Sequence, residues 1–280
     1  MIKLAGISQI GLELIQAAEA PVVYLDHWAL SELAADKSLS ARFATALEAR
    51  GGTLALSWAN LSEFSKVTSE EQPTSTETFI DSNLPRLFFL ESDPFKVWER
   101  EDSLLAGGPR VAPHGDADLF REFAKLKPQD LKPFTSLGLF SQMRGQLRDT
   151  FERLKGIFVE RVEVLRAEYA TDLEFQAAVD RPPTGASIQS GLRFMVREVL
   201  RPWIVDKQRR VEPNDALDFY HVVVPAAYCE FVLVDKDWRT IVEQARSRLR
   251  RAGFSFPMAD AISKSTGGVG RLVRELERGT

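Results

Sequence analysis

The chain has 280 residues, of which 44% are hydrophobic and 27% charged, and its formal net charge is −4. That composition belongs to a folded globular chain, long enough for one large domain or for a core with an inserted subdomain. It excludes a protein that is basic all over, so any nucleic acid has to be held by local patches. The one cysteine, Cys229, excludes an internal disulfide and a cysteine zinc cluster, and its apolar context points to buried packing in a reducing, cytoplasmic setting. No apolar run reaches the roughly 20 residues of a membrane span, and the N-terminus lacks the basic-then-apolar pattern of a secretory signal, so no membrane partner is expected.

Taken in order, residues 1 to 19 are predicted as a helix from the spacing of Leu12, Ile15 and Ala18, ended by Pro21. Val22-Val23-Tyr24-Leu25 is a β-type run closed by Asp26, and His27 opens a helix reaching roughly Ala49. Gly51-Gly52 is a turn, Thr53 to Ser57 a second strand, and a helix carrying Asn60 and Glu63 follows. Residues 69–78, rich in Ser, Thr, Glu, Gln and Pro, read as a loop. Leu87 to Leu90 is a third strand.

From about 95 to 211 the strand pattern disappears. Phe140 to Tyr169 reads as one or two long helices, Asp180 to Pro183 as a break, and Ser187 to about Val205 as another helix. This divides the chain into an α/β core, 1–94 and 212–280, and a mostly helical insertion, 95–211, between strands three and four. A helix opens at Asn214, and Phe231 to Val234 is an unbroken apolar run, read as a strand buried on both faces. Trp238 to Arg251 is a basic amphipathic helix, Phe254 to Phe256 a candidate fifth strand, and a final helix follows the flexible-looking Ser265 to Gly268. Strands separated by helices imply an α/β fold with a central parallel sheet of four to five strands flanked by helices.

The chemistry concentrates where strands end. Asp26 and Asp235 each close an apolar run, and open parallel sheets bind ligands at that edge. Asp215 and Asp218 stand three residues apart on one helix face. Each has an alternative structural role, since an acid in a first helical turn also complements the helix dipole. Glu63 comes from the helix after strand two. Carboxylates gathered this closely repel, and a divalent cation is their natural complement. Hard oxygen ligands suit Mg²⁺ or Mn²⁺.

Val22 to Asp26, Ser57 to Glu63, Asn214-Asp215-Ala216-Leu217 and Phe231 to Asp235 together resemble the PIN-domain family of metal-dependent nucleases. The resemblance covers roughly 1–90 and 212–258. It implies a small parallel α/β sheet and Mg²⁺- or Mn²⁺-assisted hydrolysis of RNA by a metal-activated water. Carried over, Asp26 and Glu63 match directly. The third acid is Asp215 or Asp218, since Asp218-x-x-His221 fits larger bacterial members. The fourth is Asp235, with Asp237 as a lesser candidate metal ligand. The chain departs from the family in having Val234 where Thr or Ser is usual, and His27 and Trp28 where small polar residues follow the first acid. Small bacterial members are often toxins neutralised by a protein antitoxin, which the helical insertion would suit as a partner; a homodimer is also open.

Arg193, Arg197 and Arg201 recur at every fourth position of one helix and, with His221, are candidate substrate contacts for single-stranded or structured RNA. His27 adjoins Asp26; His114, near Asp116 and Asp118, reads as part of a turn. Trp28, Trp58 and Trp238, each near a proposed acid, are expected to pack in the core. Two rival functions stand beside the ribonuclease. One is a PIN-like scaffold or interaction module without activity. The other is a haloacid-dehalogenase-type phosphatase, suggested by Asp235-Lys236-Asp237 after a strand; the 43 residues after Asp237 are too few for most of that family's core.

Overall fold

The computed structural model describes residues 2–8, 11–65, 71–104, 113–125, 139–181, 190–254 and 256–279. The N-terminus is not the predicted helix. Ile2–Ser8 (β1) and Gly11–Gln16 (β2) form an antiparallel hairpin in which Ile2 faces Gln16 and Ser8 faces Gly11. Gly6 and Gly11 weaken a helix here, and Leu12-Glu13-Leu14 already alternates with the period of a strand. Tertiary context completes the choice, because the Gln16 side-chain carbonyl accepts the Phe89 N–H at 2.9 Å and fastens the hairpin to the sheet.

Val22–Leu25 (β3) leads into His27–Ala35 (α1) and Lys37–Ala49 (α2). The single helix expected over 27–49 is two, because Asp36 takes an extended conformation and its carboxylate caps the second by accepting the Leu39 N–H. Thr53–Leu56 (β4) and Trp58–Ser65 (α3) follow. The expected loop over 69–78 is instead helical from residue 71, Glu71–Ser82 (α4); residues 69 and 70 lie outside the described residues. Pro73 sits in its first turn, where no backbone donor is missed, and Thr76, Phe79 and Ile80 form a buried stripe at helical spacing.

Leu87–Phe89 (β5) ends the first half of the sheet. Then come Pro94–Leu104 (α5), Ala117–Lys125 (α6), Leu139–Thr171 (α7), Leu173–Asp180 (α8) and Gly191–Val205 (α9). Residues 187–189, the expected start of the last of these, lie outside the described residues; Ser190 caps it. Pro213–Tyr228 (α10), Phe231–Leu233 (β6), Lys236–Arg251 (α11), Asp260–Ile262 (β7) and Gly268–Arg278 (α12) complete the chain. The fifth strand is thus not 254–256. Residue 255 is outside the described residues, and Phe254 and Phe256 stack with ring centroids 5.9 Å apart and pack on the core.

The five strands pair parallel in the order β5-β4-β3-β6-β7. The sheet divides two hydrophobic clusters, as the two-residue period of a strand requires. Tyr24 and Val232 face one that includes Phe158, Trp203 and Phe219; Val23, Leu25 and Leu233 face another that includes Leu30, Phe43 and Val273. Helices α7 and α9 therefore bury their apolar faces in the same core as the sheet. No helix among the described residues is long and apolar enough to cross a membrane.

Candidate metal centre

β3 lies in the middle of the sheet. The chain builds outward from it to β4 and β5, then returns to place β6 and β7 on its other side. The carboxyl ends of β3 and β6 therefore flank the point where strand order reverses, the position at which open α/β sheets form a crevice. Asp26 follows β3 there, and its N–H donates to the Leu233 carbonyl at 3.0 Å. Asp26 has the parity of Tyr24 and so emerges on the face covered by α10. Because α10 precedes a parallel strand, its first turns stand at this same edge and bring Asp218 and His221. α3, which follows β4, brings Glu63.

One ligand-type atom from each of Asp26, Glu63 and His221 lies within 4.8 Å of the others. His221 Nε2 is 3.2 Å from Glu63 Oε2, and His221 Nδ1 is 4.0 Å from Asp26 Oδ1. Behind them, the Tyr24 hydroxyl is 2.9 Å from His221 Nδ1 and 2.8 Å from Ser57 Oγ. Asn60 fixes the turn into α3: its Oδ1 accepts the Ser57 N–H at 2.9 Å and its Nδ2 donates to the Leu25 carbonyl at 2.7 Å. The turn that aims Glu63 is thus tied to the strand that carries Asp26.

The electrostatics are those of acids held in partial burial. Burial raises the Asp26 carboxyl well above the usual range; His221 and the His27 N–H lower it, while Glu63 and Asp235 add to the rise. Burial also raises Asp218, against a hydrogen bond from Trp238 and the attraction of His221, with Glu63 and Asp235 repelling its charge. Burial would lower the His221 imidazole, but Glu63, Asp26 and Asp218 outweigh it and hold it at about 9. The surrounding carboxylates thus favour the protonated form of the His221 imidazole.

The sequence-derived acids divide. Asp26 and Glu63 are in the cluster, and Asp218 and Asp235 are close enough to act on its charges. Asp215 instead completes a capping box, its carboxylate accepting the Glu212 N–H at 2.7 Å. Asp237 is exposed in the first turn of α11. Asp215, Asp218, Asp235 and Asp237 share the lining of one cleft of about 510 Å³. His221, expected to touch substrate, stands among the ligand atoms.

The arginine stripe is largely engaged elsewhere. Arg193 pairs with Asp102 and stacks over Trp98, and Arg197 donates to the carbonyls of Ala178 and Arg181. Arg201 donates to the Val179 carbonyl but also lines the cleft. His27 is half-buried beside the cluster, and burial lowers its imidazole. His114 is buried against Tyr228. Asp116 caps α6 by accepting the Asp118 and Leu119 N–H groups. Cys229 is buried, as its context suggested.

Sequence reasoning missed the supporting residues Tyr24, Ser57 and Asn60. Ser57-x-x-Asn60 before an apolar helix is a capping pattern, and it was available as a signal. Two carboxylates and one imidazole, with two more carboxylates beside them, are a donor set that fits Mn²⁺ and, through its oxygens, Mg²⁺. Comparison with protein-family models, with curated proteins and with solved structures found no match for this chain.

Proposed function

We propose that the chain is a metal-dependent ribonuclease, in keeping with the PIN-like resemblance of its sequence. The observation that carries this reading is the convergence of Asp26, Glu63 and His221, from three separate elements, at the reversal point of a parallel sheet. Asp26 and Glu63 would hold the ion through carboxylate oxygens and His221 through Nε2, since Nδ1 faces Tyr24. Asp218 and Asp235 stand where they add negative charge beside it. A bound divalent ion supplies a Lewis acid for a phosphate oxygen and a water acidic enough to act as nucleophile. The residues' own part is to fix the ligands, to release the proton of His221 when an ion binds, and to leave the adjoining cleft open for the phosphodiester.

Labelled single-stranded RNA of mixed sequence, incubated with Mn²⁺, Mg²⁺ or EDTA, tests the reading. Cleavage that needs metal and is lost in Asp26→Asn is the expected result; equal cleavage by both chains would overturn it. One observation favours a second reading. His221 Nε2 lies 3.2 Å from Glu63 Oε2, an ion-pair distance at which the imidazole can offset part of the acids' charge without an ion, which would suit an inactive scaffold. Calorimetry separates the two, because a scaffold of that kind takes up no Mn²⁺.

A further inference from the structure

The acid-lined cleft adjoins the Asp26–Glu63–His221 cluster through Asp218 and Asp235, whose charges interact with it. It is also lined by Arg201, Arg209 and Arg248, with Arg209 over the Trp203 ring at 5.1 Å. A second cleft of about 370 Å³ shares Glu198, Arg201 and Arg248 with the first. Five arginines line it, Arg181, Arg197, Arg201, Arg248 and Arg251, against two acids, Asp180 and Glu198. Glu198 is buried and bound to Arg248. Arg181, Arg201, Arg209 and Arg251 are exposed and in no ion pair among the described residues. From Asp237 to Arg251 the axis of α11 spans about 21 Å at the helical rise.

Resting on the ribonuclease reading, we propose that these joined clefts along α9 and α11 are a phosphate track for a single nucleic-acid strand extending several nucleotides from the scissile bond. A duplex presents two phosphate rows at fixed spacing, whereas one arginine-lined groove matches one flexible backbone. Four aspartates in the cleft beside the ligand cluster, and five arginines against two acids in the cleft joined to it, suit a polyanion whose reacting phosphate meets the metal. Arg193, held by Asp102 and Trp98, stands outside the track.

The test is fluorescence anisotropy in EDTA with labelled RNA strands of twelve and three nucleotides, across a salt series. Arg181→Ala/Arg251→Ala is the variant, both side chains being exposed and lining the second cleft, which contains none of Asp26, Glu63 and His221. The expected result is about tenfold weaker binding of the longer strand, a salt slope shallower by roughly 1.4, and no change for the trimer. Unchanged affinity and slope for the longer strand would overturn the track, as would no binding by the native chain. Displacement by polyglutamate as effective as by RNA would overturn the assignment to nucleic acid. Metal-dependent cleavage with a normal double variant leaves the nuclease reading standing and removes the track. Arginine-dependent binding without any cleavage does the reverse.

Discussion

The Tyr24 hydroxyl, 2.9 Å from His221 Nδ1 and 2.8 Å from Ser57 Oγ, leaves Nε2 as the nitrogen turned to Glu63. A partner on the far nitrogen orients a metal-binding imidazole, and losing such a partner typically weakens metal affinity 10–100-fold. Tyr24→Phe is expected to cost about 1–2 kcal/mol in urea unfolding and to weaken Mn²⁺ binding about tenfold; unaltered calorimetric affinity would make the hydroxyl purely structural. The proton on His221 gives a second prediction. With its imidazole held at about 9, an ion has to displace that proton throughout the neutral range. Mn²⁺ affinity should therefore rise with pH by at least about tenfold between about pH 6.5 and about pH 7.5, since the raised Asp26 carboxyl also has to ionise. Titrations in buffers of different ionisation enthalpy should report a proton released per ion bound.

At the scale of elements, α10 carries two acids with opposite duties. Asp215 closes the capping box with Glu212, while Asp218, a turn further on, lies beside His221 and Trp238. Asp215→Ala is expected to lower stability by about 1 kcal/mol, with Mn²⁺ affinity retained. Asp218→Asn is expected to weaken metal binding with stability unchanged or slightly raised, because burial already disfavours its charge. Chemical denaturation and calorimetry on the two variants give opposite patterns if the assignment holds, and matching patterns if it does not. The wording of the sequence could not separate these acids, since i and i+3 share a face. Only the cap geometry and the neighbours of α10 do so.

Across the whole molecule, one buried acid ties stability to pH away from the Asp26–Glu63–His221 cluster. Glu91 follows β5, and burial, aided by Asp116, raises its carboxyl from the ordinary 4.5 to about 7 despite Lys96 and Arg100. The folded state then holds a proton that the unfolded state has lost, so this group's contribution to stability falls as pH rises from about 4.5 to about 7. The full difference is about 3 kcal/mol. Glu91→Gln should gain on the native chain as pH rises from 5 to 8 in thermal melts; a constant gap between the two chains would refute the assignment.

The α/β class, the strands at 22–25, 53–56, 87–89 and 231–233, and the places of Asp26 at a strand end and Glu63 in the helix after the next strand were legible in the sequence; the choice between Asp215 and Asp218 was not. Buried parallel strands are short apolar runs, and an acid at the end of such a run stands out locally. The N-terminal hairpin, the helix at 71–82 and the strand at 260–262 were not legible. Each is decided by what it packs against: Gln16 on the Phe89 backbone, Phe79 and Ile80 in the core, Asp260 paired with Arg271. Tertiary structure alone set the strand order, and with it the meeting of Asp26, Glu63 and His221, residues that lie as far as 195 positions apart in the chain (221 − 26). Local composition cannot encode a contact at that separation; the folded sheet does, by placing β6 beside β3.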